Sequence, residues 1–185
     1  SGPREEIESL QKRLGEAYTG NPAAVKCTML HTSHAFHSEM MDAVMQPFAE
    51  LVRAARPQAP KRPFVSNLTG TWITAAAATD PSYWADHLRH TVRFSQGLST
   101  LMNGFDGVLL EVGPGNTLAS LARQHLTPGK QIAVVNSLPH PRQNLSDKAT
   151  LLDAIGQLWL AGVPIDWKGF HANARRRRVP LPLYP

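Results

Sequence analysis

Gly107-Val108-Leu109-Leu110-Glu111-Val112-Gly113-Pro114-Gly115-Asn116 is the stretch on which the fold turns. Its first half is apolar and partly β-branched, of strand length, and Gly113-Pro114-Gly115 ends it. Asn116 is an apt N-cap, so a helix is expected over Thr117–His125. Gln131 to Leu138 reads as the next strand. Strands alternating with helices place the chain in class α/β.

Asp147 to Ala161 reads as a helix with Leu151, Leu152, Ile155, Leu158 and Trp159 on one face, stopped by Gly162 and Pro164. Beyond Trp167 the chain is expected to be extended, basic and proline-rich. Upstream, Pro3 through Ala17 is an amphipathic helix with Ile7, Leu10 and Leu14 on one face and Glu5 and Glu6 at its positive end. Gly20-Asn21-Pro22 makes a turn, and Val25 to Leu30 is a strand running into His31-Thr32-Ser33-His34-Ala35-Phe36-His37-Ser38. Ser38 caps a helix carrying Met40, Met41, Val44, Phe48, Leu51 and Val52 inward, which Pro47 should kink or restart. Phe64 to Leu68 is a strand turned by Thr69-Gly70 toward Trp72-Ile73-Thr74. Asp80-Pro81 opens a helix through Leu88, and another covers Phe94 to Met102. No internal repeat is visible.

At 185 residues the chain is one domain or little more, and 42% apolar residues are enough for a core. Nineteen Lys and Arg against 14 Asp and Glu give +5. Four of those cations are Arg175 to Arg178; without them 15 face 14, so the charge belongs to a tail and neither nucleic acid nor a membrane is expected as partner. A single cysteine, Cys27, excludes a disulfide framework or a Cys-based zinc site and suits a reducing cytosol. No apolar run reaches the ~20 residues that span a membrane. Prolines cluster at 57–63, at 139–141 and at 180–185, as connectors do. Ser1 leads straight into a helix, the expected start of a polypeptide that continues upstream.

His31-x-x-His34-x-x-His37 is the densest chemical cluster. Three imidazoles suit zinc, yet positions three apart on a strand face opposite sides, so one functional histidine among structural ones is the stronger reading. His37 is the best single candidate: it stands at a strand-to-helix junction and can serve as general base near neutral pH. The chain has no Gly-x-Ser-x-Gly elbow, and Ser33 and Ser38 are too close in sequence for a dyad. Glu111 to Gly115 resembles a phosphate-cradling loop at a helix N-terminus, though Gly-x-Gly there is more often only a tight turn. Trp159, Trp167, Phe170 and Tyr184 read as anchors holding a terminal segment onto the body.

Several motifs occur together and in order: His34-Ala35-Phe36-His37-Ser38 with Met41, Phe64-Val65-Ser66-Asn67-Leu68-Thr69-Gly70, Tyr83-Trp84 through His87-Leu88-Arg89, Val92-Arg93-Phe94, Leu110 to Gly115, and Val179 to Pro185. Together they resemble the acyltransferase domain of type I modular polyketide synthases, whose single-domain relatives are the malonyl-CoA:acyl carrier protein transacylases. The resemblance implies a large α/β-hydrolase-like subdomain with an inserted ferredoxin-like one. Residues 1–30 would be the end of the small subdomain, 31–138 the C-terminal part of the large one, and 139–185 the linker that follows the acyltransferase.

The implied chemistry is ping-pong: a serine takes the acyl group from CoA and passes it to the phosphopantetheine thiol of an acyl carrier protein. His37 falls on the catalytic histidine, and the carbonyl orienting it aligns with His87. No cofactor is held permanently. His34, Phe36 and Asn67 fall on substrate-binding positions, and His-Ala-Phe-His resembles the malonyl-selecting form, where methylmalonyl-selecting relatives have Tyr-Ala-Ser-His. The nucleophilic serine is not in this chain, so the isolated polypeptide is expected to be inactive until joined to the N-terminal part of the domain. Thr91 stands where proline is common. Implied partners are the carrier protein, the ketosynthase and other synthase domains, in the cytoplasm. The alternative is a non-catalytic scaffold or docking fragment of a synthase.

Overall fold

The structure, a computed structural model, describes residues 2–18, 27, 29, 32–104, 106–127, 129, 132–174, 179–180 and 182. The expected turn at Gly20-Asn21-Pro22, the strand Val25 to Leu30 apart from Cys27 and Met29, and His31, Arg175 to Arg178 and Tyr184 lie outside the described residues. The chain divides into two compact units, Ser1–Asn103 and Gly104–Pro185. That division falls within the stretch 31–138, which the sequence assigns to one subdomain.

The first unit is helical. Helix α1 spans Arg4–Ala17 and begins after Pro3, whose fixed φ suits a helix entry. Its Ile7, Leu10 and Leu14 line a small cavity of about 100 Å³ with Cys27 and Met29, but no residue of the helix is buried and Leu10 is 47% exposed, so the expected apolar face is only partly covered. A 3-10 turn, Glu39–Met41, leads into α2, Asp42–Ala55. Ser38 caps that turn as its residue type dictates: its hydroxyl accepts from the Met40 N–H at 3.3 Å and donates to the Ala35 carbonyl at 2.6 Å. Pro47 does not restart the helix. Its missing N–H would have bonded the carbonyl of Ala43, one residue inside the helix start, so a single bond of the first turns is lost.

The expected hairpin at 64–74 shrinks to one antiparallel bridge between Val65 and Trp72. Ser66 is the cause. It is 1% exposed, and its hydroxyl accepts from the N–H groups of Leu68 and Thr69, both at 3.1 Å, curling the chain directly after Val65. Gly70 closes the turn at φ +72°, where an added Cβ would lie 2.7 Å from the Gln96 side chain. A short helix absent from the sequence reading follows, α3 at Ala75–Thr79, capped by Thr74. Helix α4 covers Pro81–Arg89 with Asp80 as N-cap, and α5 covers Phe94–Met102. Helix α4 packs on α2 and buries Tyr83 and Ala85, while Met41 and Ala49 are buried on the other side.

The second unit carries the sheet. Strand β1, Val108–Pro114, pairs in parallel with β2, Ala133–Leu138, from Val108 opposite Ala133 to Glu111 opposite Asn136, and the register breaks before Pro114. Parallel strands need a crossover, here α6 at Thr117–Gln124. Ala119 and Ala122 are its buried residues, small enough to let the helix lie close on the strands. Helix α7, Asp147–Leu160, is capped by Ser146 and packs on β2. The segment after Trp167 is not wholly extended as expected: Trp167–Phe170 forms one helical turn, α8, because the Asp166 carboxylate accepts from the Gly169 N–H at 2.9 Å. Among the described residues no helix is long and apolar enough to cross a membrane.

Candidate active site

His37 lies in the first unit, between Phe36 and the capping Ser38, with φ 60°. A side chain with a Cβ rarely adopts the left-handed region, and such residues persist only where their surroundings over-determine them. The surroundings are the C-terminal end of α4. The last carbonyls of a helix have no intrahelical partner, and two at this end of the helix, those of Leu88 and His90, are taken by His37. Its backbone N–H donates to the Leu88 carbonyl at 3.1 Å, and its Nδ1 lies 2.9 Å from the His90 carbonyl oxygen. A carbonyl only accepts, so Nδ1 carries the proton and Nε2 bears the free lone pair. Among the described residues nothing is hydrogen-bonded to Nε2. The ring is half-buried, so a reacting group can reach it.

The carbonyl facing His37 is therefore that of His90, not the expected one of His87. Three residues separate them, and the correction is one of helix geometry. His90 is the C-cap of α4, in extended conformation (φ −92°, ψ 160°), which swings its carbonyl away from the helix axis. His87 meets His37 through its ring instead, edge-on, with centroids 6.1 Å apart and planes at 88°. On its other sides the His87 ring stacks on Tyr83 at 6.5 Å and meets Trp84 at 6.4 Å. Tyr83 is anchored in turn, its hydroxyl donating to Ser66 Oγ at 2.7 Å. Ser66 joins the hairpin turn to the histidine pair, a role the sequence did not signal.

Arg89 fixes α4 against the segment that follows His37. Its guanidinium pairs with Asp42 of α2 and lies 3.7 Å from Glu39. Arg89, Ser38, Glu39 and Met40, with Gly2 and Pro3, line a cleft of about 530 Å³ beside His37 in sequence.

Burial first, and then the charge that His37 can carry, hold the His87 pKa below the ordinary 6.5. Below pH 6.5 the unfolded chain takes up a proton at this position that the folded chain resists, so His87's contribution is present above 6.5 and lost as pH falls toward the folded value. His87→Gln should flatten that part of the stability curve, measured by urea unfolding between about pH 5 and 7; an unchanged slope would contradict the burial of this ring.

The remaining expected site residues separate. His34 and Phe36 stand together with ring centroids 6.1 Å apart, Phe36 being 42% exposed, and His34 Nδ1 lies 2.9 Å from Ser33 Oγ. The Asn67 carbonyl accepts from the Arg93 N–H at 2.7 Å, tying it to the segment after His90, while no contact places its side chain at the His37 ring. Ser38 is occupied as a cap. Among the described residues no three His, Cys, Asp or Glu side chains gather as metal ligands, and His31 lies outside them.

The glycine loop after β1 is closed to an anion. The α6 amides that would cradle a phosphate are already bonded by the strand's own carboxylate: Glu111 accepts from the N–H groups of Leu118 at 3.2 Å and Ala119 at 2.8 Å. Asn116, the expected cap, makes no side-chain bond there.

The family model described as acyl transferase domain matches residues 1–164, and the chain belongs to that family. More narrowly, it is part of an acyltransferase domain of the type I polyketide synthases.

All of the chain is 33% identical, over 189 residues, to part of a phenolphthiocerol/phthiocerol polyketide synthase polypeptide of Mycobacterium tuberculosis. It is likewise 33% identical to part of polyketide synthase GfsA of Streptomyces halstedii. It spans 12% of the first and 2% of the second. Among solved structures, the acyl transferase domain of ZmaA superposes with a TM-score of 0.82 at 33% identity, covering 98% of this chain and 40% of that one. The acyltransferase domain from the second module of the salinomycin polyketide synthase gives 0.77 at 33% identity, with the same coverage.

Proposed function

We propose that this chain is the C-terminal part of a malonyl-selective acyltransferase domain, and that His37 is its general base. The observation that carries the reading is the Nδ1 contact to the His90 carbonyl, which leaves the Nε2 lone pair unbonded among the described residues. In the proposed cycle Nε2 takes the proton of a serine hydroxyl as its oxygen attacks the malonyl-CoA thioester, then returns it to the departing CoA sulfur. The second half repeats the exchange in reverse. Nε2 deprotonates the phosphopantetheine thiol of an acyl carrier protein, and the serine oxygen leaves with the proton. The serine comes from a stretch of polypeptide outside this chain, as does the surrounding N-terminal part of the domain. A main-chain carbonyl fixes the tautomer as a carboxylate would, while stabilising the imidazolium less.

Residues 1–30 fit the end of a ferredoxin-like small subdomain, 31–138 the C-terminal part of an α/β-hydrolase-like large one, and 139–185 the linker toward a ketosynthase. His34 and Phe36, on the same loop as His37, contribute to the acyl site. The test is a labelling experiment on the complete domain containing this chain. Malonyl-CoA should leave one malonyl ester on a serine, which a carrier protein then removes. Label that stays on CoA, or ketosynthase binding without any loading, favours a docking fragment instead.

Phe36 supplies the selectivity. An aromatic ring fills the volume that an α-methyl group needs, and excluding one methyl is worth ~1–3 kcal/mol. Phe36→Ser should raise methylmalonyl relative to malonyl loading by about tenfold or more, read as the ratio of the two loading rates. An unchanged ratio removes Phe36 from the gate.

A further inference from the structure

We propose that His87 is a positioning residue for the His37 base: a neutral ring wedged between His37 and the Tyr83–Trp84 pair, which holds the catalytic imidazole on its carbonyl and whose protonation turns the base off. This rests on His37 being the base.

His37 is held on one side by main-chain oxygens and, across its ring, by the edge of His87. His87 cannot retreat, because it is stacked on Tyr83, which is buried and bonded to Ser66, and it also touches Trp84. A ring at φ 60° has few other supports, since the strained backbone does not by itself select the rotamer.

The charge follows from the same packing. Around His87 stand His37 from the loop before the 3-10 turn, and on its own helix Tyr83, the Asp86–His90 pair with nitrogen and oxygen 4.0 Å apart, and Arg89. Of the elements packed on α4, the 3-10 turn brings Glu39 and α2 brings Asp42, both facing Arg89; α2 also carries Glu50 and Arg53, and α3 has no titratable side chain. Among the described residues no carboxylate bonds the His87 ring, so nothing compensates a proton there. During transfer His37 becomes an imidazolium, and a neutral neighbour tolerates it. A protonated His87 would repel it at 6.1 Å between ring centres and break the edge-on contact.

Two measurements separate this from a purely structural role. In NMR titrations of this chain, His87 should titrate below 6.5, and His37→Asn should move its midpoint part of the way back up, leaving the share due to burial. Asn suits the left-handed backbone at this position, so the variant keeps the fold. In the complete domain, His87→Ala should slow loading on the order of tenfold, the scale of lost alignment of a reacting group, with Gln recovering most of it. The acid limb of log kcat/KM against pH should steepen beyond one proton in wild type and return to one proton in His87→Gln. A His87 midpoint at or above 6.5, or one unmoved by His37→Asn, overturns the proposal, as do identical acid limbs. If His37→Asn loads normally, it is the base assignment that fails instead.

Discussion

Replacing His37 by Asn in the complete acyltransferase domain is expected to lower acyl loading by about 10²–10⁴-fold, the contribution of a positioned general base. Asn is the informative choice. It tolerates φ 60°, so the loop before the 3-10 turn keeps its path, and its side-chain amide cannot accept the serine proton. His37→Ala adds backbone strain to the chemical loss and so confounds the two. The Leu88 carbonyl still receives the main-chain N–H of residue 37 in either variant. Circular dichroism and urea unfolding should therefore change little for Asn while loading collapses. Loading within a few-fold of wild type would mean that another group takes the proton.

Glu111→Ala should destabilise the second unit by on the order of 2–3 kcal/mol, the scale of charge-assisted hydrogen bonds left unmade. The carboxylate reaches from β1 across the glycine turn to the first amides of α6. It does the work of an N-cap, adds a negative charge at the positive helix end, and joins strand to helix. Its loss strands the Leu118 and Ala119 N–H groups, the latter in a residue 2% exposed. Glu111→Gln keeps one acceptor and should lose roughly half as much. Denaturant unfolding of the two variants checks the order; equal stability for Ala and wild type would show that water serves these amides equally well.

Much of the fold was legible because its signals are local. Ser38, Asp80 and the apolar stretch from Val108 ended by its glycines each act within a few residues, so the helical start after Ser38, α4 and β1 fall close to where the sequence puts them. The failures share a cause. Ala75 to Thr79 has no apolar periodicity to announce α3, and the hydroxyl of Ser66 folds the hairpin short by side-chain bonds that no strand pattern encodes. Asn116 has the right chemistry for a cap, but a carboxylate five residues earlier outcompetes it.

The site divides in the same way. The choice of His37 rests on the junction between an apolar run and a capped helix, together with the His-Ala-Phe-His motif. The partner carbonyl lies 53 residues away, and alignment put it at His87, whereas the extended conformation of the C-cap presents His90. The positive φ of His37 has no sequence signature at all. Nor did the sequence signal that the His87 ring, rather than its carbonyl, would meet His37.

The central claim concerns Nε2 of His37 and can be measured as a distance. In a crystal structure of the complete domain, the serine that carries the malonyl ester should place its oxygen about 2.6–3.2 Å from that nitrogen, with Nδ1 still on the His90 carbonyl. A serine oxygen held by a different base, or a His37 ring turned so that Nε2 faces the main chain, would contradict it.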